Sequence, residues 1–324
     1  MENFSKVVVT GGAGFIGSYL VDKLSSEELN IVVIDDLSAG SMENLRRHIG
    51  KPYFSFIKSD LKQLDDVWME GFNNADVVYH LAANPEVKVS VINPEIHFNE
   101  NVVTTFNVLE ACRKNDIKYL IFASSSTIYG DAQKIPTPED YYPLEPISVY
   151  GACKLACENL ILAYSKLYGI RTLILRYANI IGPRSGHGVI IDFINKLRNN
   201  PRELEILGDG TQRKSYLHIE DAIAATIHLF KKFVNDGKEY DIYNVGNDDW
   251  VTVKEIADVV VEEMGLGKVS YVFKLGTKDG RGWPGDVKFM LLDISKLKNT
   301  GWRPRWNSKE AVRKTVKQIL AKNH

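Results

Sequence analysis

The sequence predicts an α/β fold, a doubly wound parallel sheet joined to a smaller C-terminal lobe, and three observations lead there. Short apolar runs rich in Val, Ile and Leu recur at residues 6–10, 31–34, 76–79, 119–123 and 172–175. Each is bounded by turn residues or charge, as strands buried on both faces of a parallel sheet are. Stretches of helical periodicity separate them, at Phe15–Ser26, Glu95–Arg113 and Val149–Leu167, so strand alternates with helix. After about residue 177 the rhythm changes, and three turn-rich segments, GPRSGHG, LGDGTQRK and KDGRGWPGD, interrupt short strands and helices. We therefore place a first domain at residues 1–177 and a second lobe at 178–324, closing over a ligand. The boundary is soft, because a helix starting near His218 or Asp221 and running to about residue 233 is expected to return to the first sheet.

Composition narrows the class of partner. The chain has 324 residues, 44% apolar and 25% charged, which supports a hydrophobic core without metals or disulfides. Forty basic residues stand against 41 acidic ones, a net charge of −1. That balance argues against nucleic-acid and anionic-membrane partners, which select a basic surplus. Cys112, Cys153 and Cys157 make neither a disulfide framework nor a metal-ligand spacing, so they are expected as reduced, packed thiols. Reduced thiols, with no apolar leader in MENFSKVVVT and no membrane-length run, point to a soluble cytoplasmic protein.

The first local motif is KVVVTGGAGFIG at residues 6–17, with Gly11, Gly14 and Gly17 in the spacing GxxGxxG. The spacing is weak alone, but here it follows a strand and opens a helix that includes Phe15 and Ile16. Glycines there allow a tight turn and let backbone N–H groups reach a pyrophosphate at the positive end of the helix. Asp35 ends the second strand, 18 residues after Gly17. A carboxylate there binds the adenosine ribose hydroxyls and repels a 2′-phosphate, so the unit reads as a Rossmann site for NAD over NADP. Asp60, after the third strand, is a candidate for the adenine edge.

The second motif is Tyr150-Gly-Ala-Cys-Lys154 at a helix start. Residues at i and i+4 share a helix face, so the phenol and the ammonium point into one pocket. The cation is expected to lower the tyrosine pKa and make it a usable base. The third element is Ser124-Ser125-Ser126 at the C-terminal end of the fifth strand, where open α/β sheets bind ligands. A hydroxyl there can share a hydrogen bond with a reacting oxygen. The alternative reading of those serines is a polar strand end that caps the next helix.

With these motifs assembled, the chain resembles the extended short-chain dehydrogenase/reductase family, in its NAD-dependent epimerase/dehydratase branch, and within that the UDP-glucose 4-epimerases. The resemblance runs through TGGAGFIGSYLV, VIDDLSAG, SDL, HLAA, ASSSTIYGD, SVYGACKLACE, LRYANIIGPR, GDGTQRKSYLHIEDA and TGWRP. It implies that Tyr150 is the acid/base, Lys154 its electrostatic and ribose-binding partner, and Ser125 the active hydroxyl. It also implies NAD contacts at Asp36, Ser38, Gly40, Leu61, Leu81, Ala82, Ala83 and Tyr177. Dehydratase and decarboxylase relatives resemble T-D/S-E-V-Y-G, whereas this chain has Ser126 and Thr127 at the middle positions. Lacking that acid, it is expected to oxidise the sugar at C4 and re-reduce the 4-keto intermediate on its other face, with no net redox change. Galactose metabolism is the implied setting.

The resemblance also implies a substrate side. Asn179, Gly188 and Val189 match substrate-contacting positions. Lys214 stands where an arginine usually meets the diphosphate, flanked by Arg213. A lysine supplies charge without the bidentate fork. Trp283 stands at a second such arginine position, with Arg281 two residues earlier as a substitute; Arg184 reads as a surface-loop arginine. Met290 matches the position that gates sugar size, and Pro85 replaces a common lysine. A homodimer is implied through helices at about 95–113 and 149–167, with Val102, Phe106, Leu109, Leu160 and Tyr164 as candidate contacts.

Other readings stay open at this stage. They are 4-epimerisation of a UDP-N-acetylhexosamine, a UDP-uronate or another nucleotide sugar, net reduction by NADH, and a non-catalytic NAD-binding scaffold.

Overall fold

The fold follows from where the apolar runs are buried. A computed structural model describes residues 4–322. Strands β1 (Lys6–Thr10), β2 (Asn30–Asp35), β3 (Phe54–Lys58), β4 (Val77–His80), β5 (Tyr119–Ser125) and β6 (Arg171–Tyr177) are joined in one parallel sheet by the later strand Tyr240–Val245. The order across the sheet is Tyr240–Val245, β6, β5, β4, β1, β2, β3. The chain reverses direction of winding between β1 and β4, so a crevice opens beyond their carboxyl ends. All four residues of β4 are buried, as are Val7–Thr10 of β1, which is why these runs read as continuous rather than alternating.

The helices cover both faces of the sheet. Phe15–Leu24 lies on one side with Ile219–Asp236, whose Ile219-to-Val234 segment contributes to the same core as β1 and β6. The segment 94–114 is helical but irregular, with a π-turn at Phe98–Val103 between α-helical ends. It packs with Val149–Tyr168 on the other side, where Leu109, fully buried, belongs to the core rather than to an outer face. Phe106 and Leu167, by contrast, remain exposed.

A separate apolar cluster belongs to the later chain. Phe193, Leu197, Leu204, Ile206, Ile256, Val260, Val312 and Val316 form it, from helices Val189–Asn199, Val253–Glu263 and Ser308–Ala321 with the strand Glu203–Leu207. This lobe stands beyond the carboxyl ends of the sheet and supplies the second wall of the crevice. The three cysteines are free and buried. Among the described residues no helix is long and apolar enough to cross a membrane.

Candidate active site

The crevice is a cavity of about 720 Å³. One wall is the glycine turn after β1. Gly11 has φ +68, and a Cβ there would stand 2.7 Å from the Ala82 backbone nitrogen. A Cβ on Gly17 would stand 2.2 Å from the Gly11 carbonyl oxygen, so helix and turn touch backbone to backbone. Gly14 caps helix Phe15–Leu24 with no side-chain hydrogen bond and no acid in the first turn. Its first N–H groups are therefore left for an anion, in the field of the helix dipole. Gly11, Gly14, Phe15, Ile16 and Gly17 all line the cavity.

Asp35 closes this wall. It is 7% exposed, and its two oxygens accept N–H donors from Ala13 (2.9 Å) and Leu37 (2.8 Å). Burial raises its pKa while those donors oppose the rise. Each oxygen keeps a lone pair for a hydroxyl on the cavity side. Asp36 is turned onto Ser38, accepting its N–H (2.8 Å) and hydroxyl (2.6 Å). Asp36, Ser38, Gly40, Asp60, Leu61, Leu81, Ala82, Ala83 and Tyr177 complete the lining. The Tyr177 hydroxyl is held by Thr226 at 2.5 Å, so this residue offers its ring.

The reactive groups meet at the end of β5. Ser148 caps helix Val149–Tyr168 by accepting from the Gly151 N–H at 3.1 Å, which fixes the first turn that carries Tyr150. The Ser125 oxygen accepts from the Thr127 N–H (3.2 Å) and hydroxyl (3.0 Å). Its own proton is thereby left to donate toward the Tyr150 phenol, whose pKa it pulls down. Lys154 donates to the Ala123 carbonyl at 3.0 Å, with its nitrogen 6.0 Å from the Tyr150 ring centre.

One expectation fails here. The lysine was expected to lower the tyrosine pKa, yet burial dominates and pushes Tyr150 up to about 12, with Ser125 pulling the other way. Burial also lowers the Lys154 pKa. The phenol is 9% exposed, and taking a phenolate out of water outweighs a cation at that distance. The positive charge of a bound nicotinamide would act in the opposite direction to burial.

The opposite wall carries the remaining candidates unevenly. Asn179, Gly188, Val189, Lys214 and Met290 line the cavity; Arg213 and Arg281 do not. Arg213 is exposed, its guanidinium 5.7 Å over Trp250. Arg281 is fully engaged, with its fork on Asp131 (3.0 and 2.9 Å), Nε on Asp279 (2.6 Å) and a bond to the Asp286 carbonyl (2.8 Å). Lys214 sits 2.5 Å from the buried Asp286 carboxylate and 5.7 Å over the Trp283 ring. The Trp283 indole nitrogen is buried with no partner among the described residues, and its side chain lines the cavity. All three turn-rich segments of the second lobe thus reach the crevice.

Comparisons with known proteins decide the family. The profile of the NAD dependent epimerase/dehydratase family matches residues 7–246. A crystal structure of a UDP-galactose 4-epimerase is 50% identical, with a TM-score of 0.85 over 98% of this chain and 99% of that one. A UDP-N-acetylglucosamine 4-epimerase from Methanobrevibacter ruminantium is 31% identical, with a TM-score of 0.84 over 99% and 100%. UDP-glucuronic acid decarboxylase 3 of Arabidopsis thaliana is 32% identical over 316 residues, covering 95% of this chain and 86% of its own. The chain belongs to the NAD-dependent epimerase/dehydratase family.

As a member of that family it uses NAD, and the residues present fit that cofactor. The uncapped helix end suits the pyrophosphate, and the buried carboxylate of Asp35 suits a ribose.

Several residues around the site escaped the sequence reading. Arg184 is not a surface arginine: its side chain is 11% exposed, paired with Asp22 at 2.7 Å and stacked 4.2 Å over Tyr19. His97 is fully buried and meets the Tyr150 ring edge-on at 5.5 Å. Glu86 and His187 pair at 2.8 Å from opposite sides of the cavity. Only tertiary contact reveals these. Glu158 carried a local signal, lying four residues after Lys154 on the same helix face.

Proposed function

We propose that the protein is a UDP-glucose/UDP-galactose 4-epimerase, an isomerase that oxidises C4 of the sugar transiently and reduces it again on the other face. The observation that carries this reading is the meeting of Ser125 and Tyr150 at the end of β5, across one cavity from the glycine turn. Thr127 supports it from the same segment. Where eliminating and decarboxylating relatives resemble a carboxylate, this chain places a neutral hydroxyl whose proton is spent on Ser125.

The chain's own residues have distinct parts. Tyr150 takes the proton of the sugar 4-hydroxyl and returns it, with Ser125 holding the same oxygen. Lys154 steadies the phenolate and reaches the ribose. Held by the glycine turn and Asp35, NAD would supply the hydride chemistry at C4. Burial of Tyr150 and Lys154 excludes water from the exchange. On the far wall Lys214 faces the diphosphate, while Asn179, Gly188 and Val189 contact the nucleotide sugar and Met290 borders the hexose. A homodimer belongs to the same reading, with Phe98, Phe106 and Leu167 exposed on the two helices that would pair.

The test is chromatography of purified protein incubated with UDP-galactose and no added NAD. We expect UDP-glucose to form to equilibrium, and Tyr150→Phe to lose about 10²-fold or more in kcat. Conversion only of UDP-N-acetylgalactosamine or a UDP-uronate would replace the substrate. Unchanged activity in Tyr150→Phe would remove the mechanism.

A further inference from the structure

Three consecutive residues of β5 are each received by a different residue of one helix face. Ala123 offers its carbonyl to Lys154 at 3.0 Å, the Ser124 hydroxyl donates to Glu158 in a short contact, and the Ser125 hydroxyl acts on the Tyr150 phenol, pulling its pKa down. The three helix residues lie at i, i+4 and i+8, a single stripe. Ser124, Lys154 and Glu158 are each at least nine-tenths buried, so none of these contacts is a surface accident.

Glu158 is itself fixed. Arg176 on β6 grips it with Nε (3.1 and 3.3 Å) and Nη2 (2.8 Å). The other Arg176 nitrogen donates to the Tyr129 hydroxyl (2.8 Å) and to the Glu139 carbonyl (2.9 Å). Tyr129 donates in turn to Asn244 at 2.8 Å, on the neighbouring strand. Every polar atom of this buried network is matched to a partner across three strands and a helix. A fully satisfied buried network rigidifies what it touches, and here its free end is the Ser124 hydroxyl, next to the reactive serine.

We propose that Glu158, locked by Arg176, is a positioning residue for the reaction: through Ser124 it sets where the Ser125 hydroxyl stands relative to Tyr150. The inference rests on the epimerase reading for its substrate but not for its geometry. A carboxylate is needed because it accepts from the serine and from one edge of the guanidinium, Nε and Nη2, at once. Displacing Ser125 by a fraction of an ångström weakens its interaction with the phenol, and that interaction favours the phenolate. The charged and titratable groups around the phenol are Lys154 and Cys157 from its own helix and His97 from the helix at 94–97.

The direction of the expected effect follows. Loss of the Ser125 interaction raises the Tyr150 pKa, so the rising acid limb of the pH–rate profile moves to higher pH. Ser124→Ala deletes only the hydroxyl between β5 and Glu158 and leaves the Glu158–Arg176 pair intact. With UDP-galactose as substrate, we expect kcat to fall about tenfold at pH 7 and the limb to rise by about one pH unit. KM is expected to stay within about twofold, and Ser124→Thr to restore both kcat and the limb. An unmoved limb with unchanged kcat overturns the proposal, as does a loss confined to KM or to thermal stability. If the wild-type protein leaves UDP-galactose untouched, the substrate reading alone fails. The positioning role is then read directly, by NMR titration of ring-labelled tyrosine in the NAD-bound protein, with the Tyr150 signal identified by its loss in Tyr150→Phe. The same upward shift in Ser124→Ala supports the role, and no shift overturns it.

Discussion

At the scale of single residues, the two cationic candidates of the second lobe have opposite fates. Lys214 lines the cavity with one carboxylate at 2.5 Å, whereas Arg281 lies behind the wall with its donors spent on Asp131, Asp279 and the Asp286 carbonyl. Removing a charged hydrogen-bond partner from a ligand costs about 1.5–3 kcal/mol. In Lys214→Ala the cost grows, because Asp286 is left buried and unpaired beside the incoming phosphates. We therefore expect Lys214→Ala to raise the KM for UDP-galactose by about tenfold or more, and Arg281→Ala to change it by less than about threefold. Steady-state kinetics of the two variants decides the matter, and a larger effect from Arg281 would place the diphosphate elsewhere. Sequence alone could not separate them. Both are basic residues in turn-rich loops, and what distinguishes them is a contact between residues 131 and 281 that no local spacing records.

At the scale of elements, the strand–turn–helix unit at residues 6–24 was legible because its chemistry is local. The glycine spacing, the strand before it and the helix after it lie within one stretch of chain. The helix stripe of Tyr150 and Lys154 was legible for the same reason. The pKa of Tyr150 was not, since burial and the Ser125 contact are set by how β5 and the helix pack. The unit also separates two kinds of glycine. A methyl on Gly17 would meet backbone at 2.2 Å, where nothing can yield, while a methyl on Gly14 meets only the Gly11 oxygen at 3.2 Å. Gly17→Ala is expected to push the helix off the turn, lowering the melting temperature by several degrees, for a loss of roughly 2 kcal/mol, and emptying the site of NAD. Gly14→Ala is expected to keep the fold and to weaken NAD binding, because the methyl narrows the approach to the free N–H groups. Thermal denaturation and the dinucleotide content of the purified variants test both; equal melting temperatures for the two would refute the distinction.

At the scale of the whole molecule, burying phenols in two separate regions makes stability depend on alkaline pH. Tyr129 lies in the network between β5 and β6, and Tyr177 lies at the end of β6 against helix Ile219–Asp236. Burial pushes each of them up to about 12. In the unfolded chain a phenol ionises near ~10. Below pH 10 both states hold the proton and the buried hydroxyls contribute their full share. Between pH 10 and 12 the unfolded chain releases protons that the folded protein retains, so stability falls as pH rises. Each phenol can remove at most about 2.7 kcal/mol across that window, a large fraction of the ~5–15 kcal/mol that holds a typical domain. Urea denaturation of the NAD-bound protein from pH 8 to 12 is expected to show a flat plateau, then a steep decline beginning near pH 10. Tyr177→Phe keeps the ring and loses only a hydroxyl bonded to Thr226, so it is expected to take up to about 2.7 kcal/mol off that decline while lowering the plateau by about 1 kcal/mol. A decline of unchanged steepness in that variant would mean that other groups, such as surface lysines losing their partners, govern the alkaline limit.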